Sequence, residues 1–143
     1  MIYPDTKIES ACAVKDIRAE LNQPYYDNDA FLLVATDGQI LAALPTTNPP
    51  NDASVCGPVP LDAIKHARKV APRGDYPEMD LLDAKTARAN GATFTRPNET
   101  FPNYQAIIKK KARDIPDLCI DAALLKRLSD ALQDRIGKDH RVN

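Results

Sequence analysis

Apolar positions along this chain come in short runs broken by prolines, and the two clearest runs flank a turn. Phe31-Leu32-Leu33-Val34-Ala35 leads into Asp37-Gly38, and Ile40-Leu41-Ala42-Ala43-Leu44 follows at once. Two apolar runs joined through Asp-Gly predict a β-hairpin. Rough alternation at Ile17, Ala19 and Leu21 predicts a half-buried strand ahead of it. Residues 45 to 54 contain three prolines and a single apolar residue, Ala53, which marks a surface loop. A short strand is expected within Ser54 to Val59.

Helical spacing begins at Pro60-Leu61-Asp62. Leu61, Ile64, Ala67 and Ala71 share one face, Lys65, Arg68 and Lys69 fall elsewhere, and Pro72 and Gly74 form the stop. Between Met79 and Thr95 the alanines and charges favour helix on propensity alone. Asn90-Gly91 is nevertheless a strong turn dipeptide, and Ala92-Thr93-Phe94-Thr95 reads as a strand after it, so a second hairpin is expected there. Arg96 to Asn103 is a second loop rich in proline and asparagine, and Ile115 to Ile120 a short strand. Asp121 then suits the N-cap of a helix over Ala122 to Ile136. Leu124, Leu125, Leu128, Leu132 and Ile136 recur there at helical spacing, and Gly137 ends it. Strands, a short helix, more strands and a terminal helix make an α+β pattern, an antiparallel sheet with two helices packed on one face.

A length of 143 residues fits one domain. It divides into an N-terminal extension (1–16), a body of sheet and first helix (17–120) and a terminal helix (121–136). No apolar run approaches the roughly 18 residues that cross a bilayer. Asp5, Lys7 and Glu9 would spoil a signal-peptide core, so a cytoplasmic protein is the default, with no membrane partner. The net charge of −1 lacks the basic excess usual in stand-alone nucleic-acid binders. Cys12, Cys56 and Cys119 are far apart and odd in number, which favours buried free thiols over a disulfide or a zinc site.

Two segments carry a family resemblance. Leu33-Val34-Ala35-Thr36-Asp37-Gly38-Gln39-Ile40-Leu41-Ala42 resembles the stretch of the bacterial DNA sliding clamp (the polymerase III beta family) in which a strand runs into A-T-D-G-H-R-L-A. Phe101-Pro102-Asn103-Tyr104-Gln105-Ala106-Ile107-Ile108-Lys109 is similar to the F-P-D-Y-R-R-V segment that closes the same middle domain. A strand and the helix opening at Pro60 lie between them, as in the clamp. The D-x-x-L-L-x-x-L pattern of Asp121, Leu124, Leu125 and Leu128 resembles the unit that opens the clamp's next domain. The resemblance therefore spans about Ile17 to Leu132. It implies a DNA-clamp-like fold in which the strand-and-helix unit comes last instead of first. Either the domain is circularly permuted, or the terminal helix belongs to a partner in a swapped or repeating assembly.

The family's peptide cleft would correspond here to Thr36, Gly38, Gln39, Ile40, Leu41, Pro102, Ala106 and Ile107. Gln39, Ile40 and Ala106 depart from the family pattern, and the loss of two arginines removes planar charged donors from the rim. The ring's DNA-facing helices would correspond to Lys65, Arg68, Lys69, Lys126, Arg127 and Arg135, diluted by Asp62, Asp130 and Asp134. The basic run Lys109-Lys110-Lys111 with Arg113 reads as a solvated linker. The resemblance thus implies a non-enzymatic module of DNA replication or processivity, without a cofactor. It would act as a homo-oligomer, through replication proteins that carry clamp-binding peptides, or by weak contact with double-stranded DNA. The chain lacks phosphate loops, HExxH and GxSxG. Asp37, Asp80 and Asp83 have no spacing that fixes convergence on a metal, and Cys56 with His66 lacks a third partner. The competing reading is a small enzyme or adaptor using loops 45–54 and 96–103.

Overall fold

A computed structural model describes residues 7–46, 55–73, 75–108 and 121–132. The first hairpin forms as expected: β2 (Leu32–Thr36) pairs antiparallel with β3 (Leu41–Pro45), with Thr36 opposite Leu41 and Leu32 opposite Pro45. Its turn is held by its own side chains. Asp37 Oδ1 accepts from the backbone N–H of Gln39 at 2.8 Å and of Ile40 at 2.9 Å, while Thr36 Oγ1 donates to the Ile40 carbonyl at 2.6 Å. Gly38 takes φ +92°, which a side chain would resist. The A-T-D-G string is therefore a self-contained turn.

Around this hairpin the sheet is completed by β1 (Tyr25–Asp27) and β4 (Gly57–Pro58), giving the order β3-β2-β1-β4, antiparallel at every step. The strand expected within Ser54 to Val59 is thus the two residues of β4. The strand expected over Ile17 to Leu21 does not form. Ile17 is fully exposed, and Ala19–Leu21 is a single 3-10 turn of which only Leu21 is buried. Local side chains capture this backbone instead. Asn22 Oδ1 accepts from Asp16 N–H, Asn22 Nδ2 donates back to the Asp16 carbonyl, and Asp16 Oδ1 accepts from Arg18 N–H. Such short polar side chains compete with ladder pairing. The strand that precedes the hairpin is instead β1, paired on both sides, and its three residues are too few for alternation to show.

The hairpin expected at Asn90-Gly91 forms, but in a second, separate sheet rather than in the single sheet expected. β5 (Asp80–Leu81), β6 (Thr86–Ala89) and β7 (Ala92–Thr95) run in the order β5-β6-β7, with the β6–β7 turn at Asn90-Gly91. α1 (Leu61–Val70) lies on it, burying Ala63, Ile64 and Ala67, while Ala87 and Ala89 give its backbone room to approach. His66 meets Phe94 at 5.5 Å between ring centres. The alanines that suggested helix on propensity therefore serve close helix-on-sheet packing.

α3 (Ala122–Leu132) packs on β3 and on a 3-10 turn at Ile8–Ala11. The expected cap holds: Asp121 Oδ1 accepts from Ala123 N–H at 2.7 Å. Continuation of this helix to Ile136 and the strand at Ile115–Ile120 lie outside the described residues. Residues 8–12, read as part of an extension, instead supply Ile8, Ala11 and Cys12 to the main core, beside Tyr26, Leu33, Ala35, Ile64 and Ala131. α2 (Tyr104–Ile108) is a short helix on a segment with no helical periodicity. The architecture is α+β with two antiparallel sheets and three α-helices among the described residues. None of those helices is long and apolar enough to cross a membrane.

Candidate functional site

The alternation of β2 and β3 sorts the expected cleft residues onto two faces. Leu33, Ala35, Ala42 and, at the hairpin's end, Ile40 turn into the main core. Thr36 and Leu41 form a cross-strand pair on the other face, in line with Val34 and Ala43 and with Tyr25 of β1. Onto this second face comes the Phe101-Pro102-Asn103-Tyr104 segment. Phe101 stacks on Tyr25 at 4.9 Å and 17°, and Tyr104 meets Phe101 edge-on at 6.4 Å. The two stretches that carried the sequence argument, far apart along the chain, thus lie on one face of one sheet, the second stretch seated on β1.

The segment is pinned by a buried carboxylate. Asp27, at the end of β1, accepts a short hydrogen bond from the Tyr104 hydroxyl and another from Gln105 Nε2 at 3.1 Å. It also accepts from the backbone N–H of Asp29 at 3.0 Å and of Ala30 at 3.1 Å. Burial works to raise the Asp27 carboxyl, but these donors outweigh it and hold it below the usual carboxylate range. Burial and the anionic partner push the Tyr104 phenol up to about 12. A second link, Gln23 Nε2 to Glu99 Oε2 at 2.9 Å, ties the loop before α2 to the approach to β1.

Between the hairpin and this clamp of aromatics the face is only partly covered. Leu41 and Ala43 are half-buried, and Pro102 and Ala106 are exposed at its margin. Gly38 and Gln39 stand exposed at the hairpin tip. Of the eight cleft positions, Ile40 is removed by its packing into the core. The side chain of Ile107 lies outside the described residues.

The expected DNA-facing positions fare differently. Arg127 does not face solvent as a free cation. Its Nη1 donates to Asp37 Oδ2 at 2.7 Å, Nε to the Ser10 carbonyl at 3.1 Å and Nη2 to the Cys12 carbonyl at 3.0 Å. The guanidinium therefore bolts α3 to the hairpin and to the N-terminal turn. Arg68 is spent on Glu9 as a fork-to-fork ion pair. Lys126 pairs with Asp130 one turn along at 2.9 Å. Lys65 and Lys69 remain exposed on α1, and Arg135 lies outside the described residues.

Cys12 is buried, and burial pushes its thiol up to about 12, so it is an inert core residue. Cys56 is half-buried, with its Sγ 3.0 Å from the Tyr25 hydroxyl, while His66 packs elsewhere against Phe94. The acids Asp37, Asp80 and Asp83 separate. Asp37 holds Arg127, Asp80 meets Arg88 Nη2 at 3.3 Å across the β5–β6 ladder, and Asp83 caps Lys85 N–H at 2.7 Å. Among the described residues no acid, histidine and cysteine group is arranged to hold a metal. A cleft of about 630 Å³ lies between the C-terminal end of α1 and the β6–β7 turn, with Val70, Tyr76, Glu78 and Arg88 in its wall. None of its described lining residues comes from loops 45–54 or 96–103, and 47–54 lie outside the described residues.

The sheet face itself was legible, through two motifs. The clamp of Asp27 on Tyr104 was not, because nothing local marks Asp27 as a partner for a residue so distant. No protein-family model, curated protein or solved structure matches the chain.

Proposed function

We propose that this chain is a non-enzymatic, sliding-clamp-like module that acts in DNA replication or processivity by docking short peptides on the half-open sheet face. One observation carries the reading: the A-T-D-G hairpin and the F-P-N-Y segment lie on the same sheet face, the Tyr25–Phe101 stack opposite Val34 and the Thr36–Leu41 pair two residues further along β2. An extended peptide could set apolar side chains against Leu41 and Ala43 and its backbone against the exposed margin at Pro102. The two arginines of the family's rim are replaced, but the Arg18 guanidinium stands beside Gly38 at the hairpin tip, so recognition would combine apolar contact with this one cation. Contact with double-stranded DNA has less behind it, since among the described positions it falls to Lys65 and Lys69, Arg68, Arg127 and Lys126 being paired with Glu9, Asp37 and Asp130. Assembly into a ring would use copies of the whole chain, each keeping α3 on its own body.

The test is fluorescence anisotropy of a labelled polymerase-derived clamp-binding peptide titrated with the full chain, beside light scattering for the oligomeric state. Saturable binding that Leu41→Asp abolishes, while Gln39→Ala leaves it within about twofold, is the expected pattern. A strictly monomeric chain with no affinity for such peptides, for a host clamp or for duplex DNA would overturn the reading.

A further inference from the structure

We propose that Cys56 is a reactive thiol, poised by Arg96 and Tyr25 to attack peroxides and other soft electrophiles. The proposal starts from Arg96, the most deeply buried basic residue described, with 3% of its surface exposed. Its Nε donates to the Pro58 carbonyl at 2.8 Å and its Nη1 to the Asp83 carbonyl. Both acceptors are neutral. Its Nη2 is buried and has no acceptor at all. A buried cation bonded only to carbonyls has lost hydration without gaining a bonded countercharge, which is costly.

The free Nη2 points at the backbone beside Cys56. It lies 3.1 Å from where a Cβ on Gly57 would sit, so only glycine leaves it that space. The acidic groups whose charge reaches the guanidinium are Cys56, Asp83 and Tyr25. Asp83 is exposed and caps a turn, so its carboxylate is largely screened. Tyr25 keeps its proton, because burial and the neighbouring Cys56 push its phenol well up. Neither therefore gives the guanidinium a bonded countercharge, and the Cys56 sulfur is the remaining group near it. The Tyr25 hydroxyl, 3.0 Å from Sγ and held by the Phe101 stack, is placed to donate to the sulfur anion. A half-buried thiol one residue from the glycine against which the guanidinium rests, with a fixed hydroxyl 3.0 Å from its sulfur, is an environment that favours a nucleophilic cysteine.

With hydrogen peroxide as oxidant, the Cys56 thiolate attacks one peroxide oxygen. The S–O bond forms as the O–O bond breaks, and the departing hydroxide takes the proton of the new sulfenic acid to become water. Sulfur is oxidised to a sulfenate, the peroxide is reduced, and the product stays anionic beside Arg96.

The experiment is time-resolved labelling of the full chain with iodoacetamide, a neutral reagent, resolved by site through peptide mass spectrometry. Dimedone trapping after brief peroxide treatment runs in parallel. Cys56 should label at least about tenfold faster than buried Cys12, slow by about tenfold in Arg96→Met and by about threefold in Tyr25→Phe, and give the dimedone adduct. Tyr25→Phe preserves the ring stack and removes only the hydroxyl, so it decides the matter if Arg96→Met loses its native circular dichroism. Unchanged Cys56 labelling in the folded variants, or no adduct in the native chain, overturns the proposal.

Discussion

Replacing Arg127 by methionine tests how α3 belongs to this domain. The substitution keeps the stem that lies along the N-terminal turn and removes three donated hydrogen bonds, to Asp37, Ser10 and Cys12. A hydrogen bond from a charged donor contributes about 1.5–3 kcal/mol when buried. Here the Arg127 side chain is 35% exposed and its partner Asp37 9% exposed, so solvent screening cuts each contribution. Asp37 also keeps two backbone donors, Gln39 and Ile40, and is not left bare. The net loss is about 2 kcal/mol, which for a domain of this size lowers Tm by roughly 4–8 °C. Thermal melts by circular dichroism read the loss. A double-mutant cycle with Asp37→Asn should return a coupling of about 1 kcal/mol, and hydrogen exchange should show α3 amides losing protection ahead of the sheet. A variant within about 0.5 kcal/mol of the native chain, with an additive cycle, would refute the idea that α3 is bolted to its own hairpin.

Tyr104→Phe removes one of four donors to Asp27 and should cost about 1–2 kcal/mol in urea unfolding. Asp27 and Asp37 are both held below the ordinary carboxylate value of 3.8, so their contribution is full above that value and lost as pH falls through the lowered ones. Acid unfolding should thus steepen below about pH 4, and Tyr104→Phe should weaken that dependence. Lys15 sits at φ +53° on an exposed loop, and Lys15→Gly should raise stability by about 0.5–1 kcal/mol in the same assay. Ala87→Leu would drive bulk between β6 and α1 where the alanine is wholly buried, with an expected loss of about 1–3 kcal/mol.

Much of the local structure was set by the sequence acting over a few residues at a time. The hairpin at Asp37-Gly38 and the turn at Asn90-Gly91 follow from side-chain and glycine chemistry that needs no distant partner, and so does the Asp121 cap of α3. The amphipathic face of α1 was equally plain, because Ile64 and Ala67 repeat at helical spacing. The same local chemistry misled at Ile17 to Leu21, where alternation suggested a strand but Asp16 and Asn22 captured the backbone first.

What only tertiary structure decided depends on groups that find one another across the chain. Burial of Ile8, Ala11 and Cys12 made core out of a stretch that looks peripheral. Arg127 and Arg68 read as surface cations until Asp37 and Glu9 claimed them. Division into two sheets followed from where α1 and the alanines of β6 could pack closely. Asp27, the residue that fixes the candidate face, lies 77 residues from the tyrosine it binds. Charge and polarity are written in the sequence, but which buried carboxylate meets which donor is settled by long-range packing, since desolvation leaves no polar group unpartnered without cost.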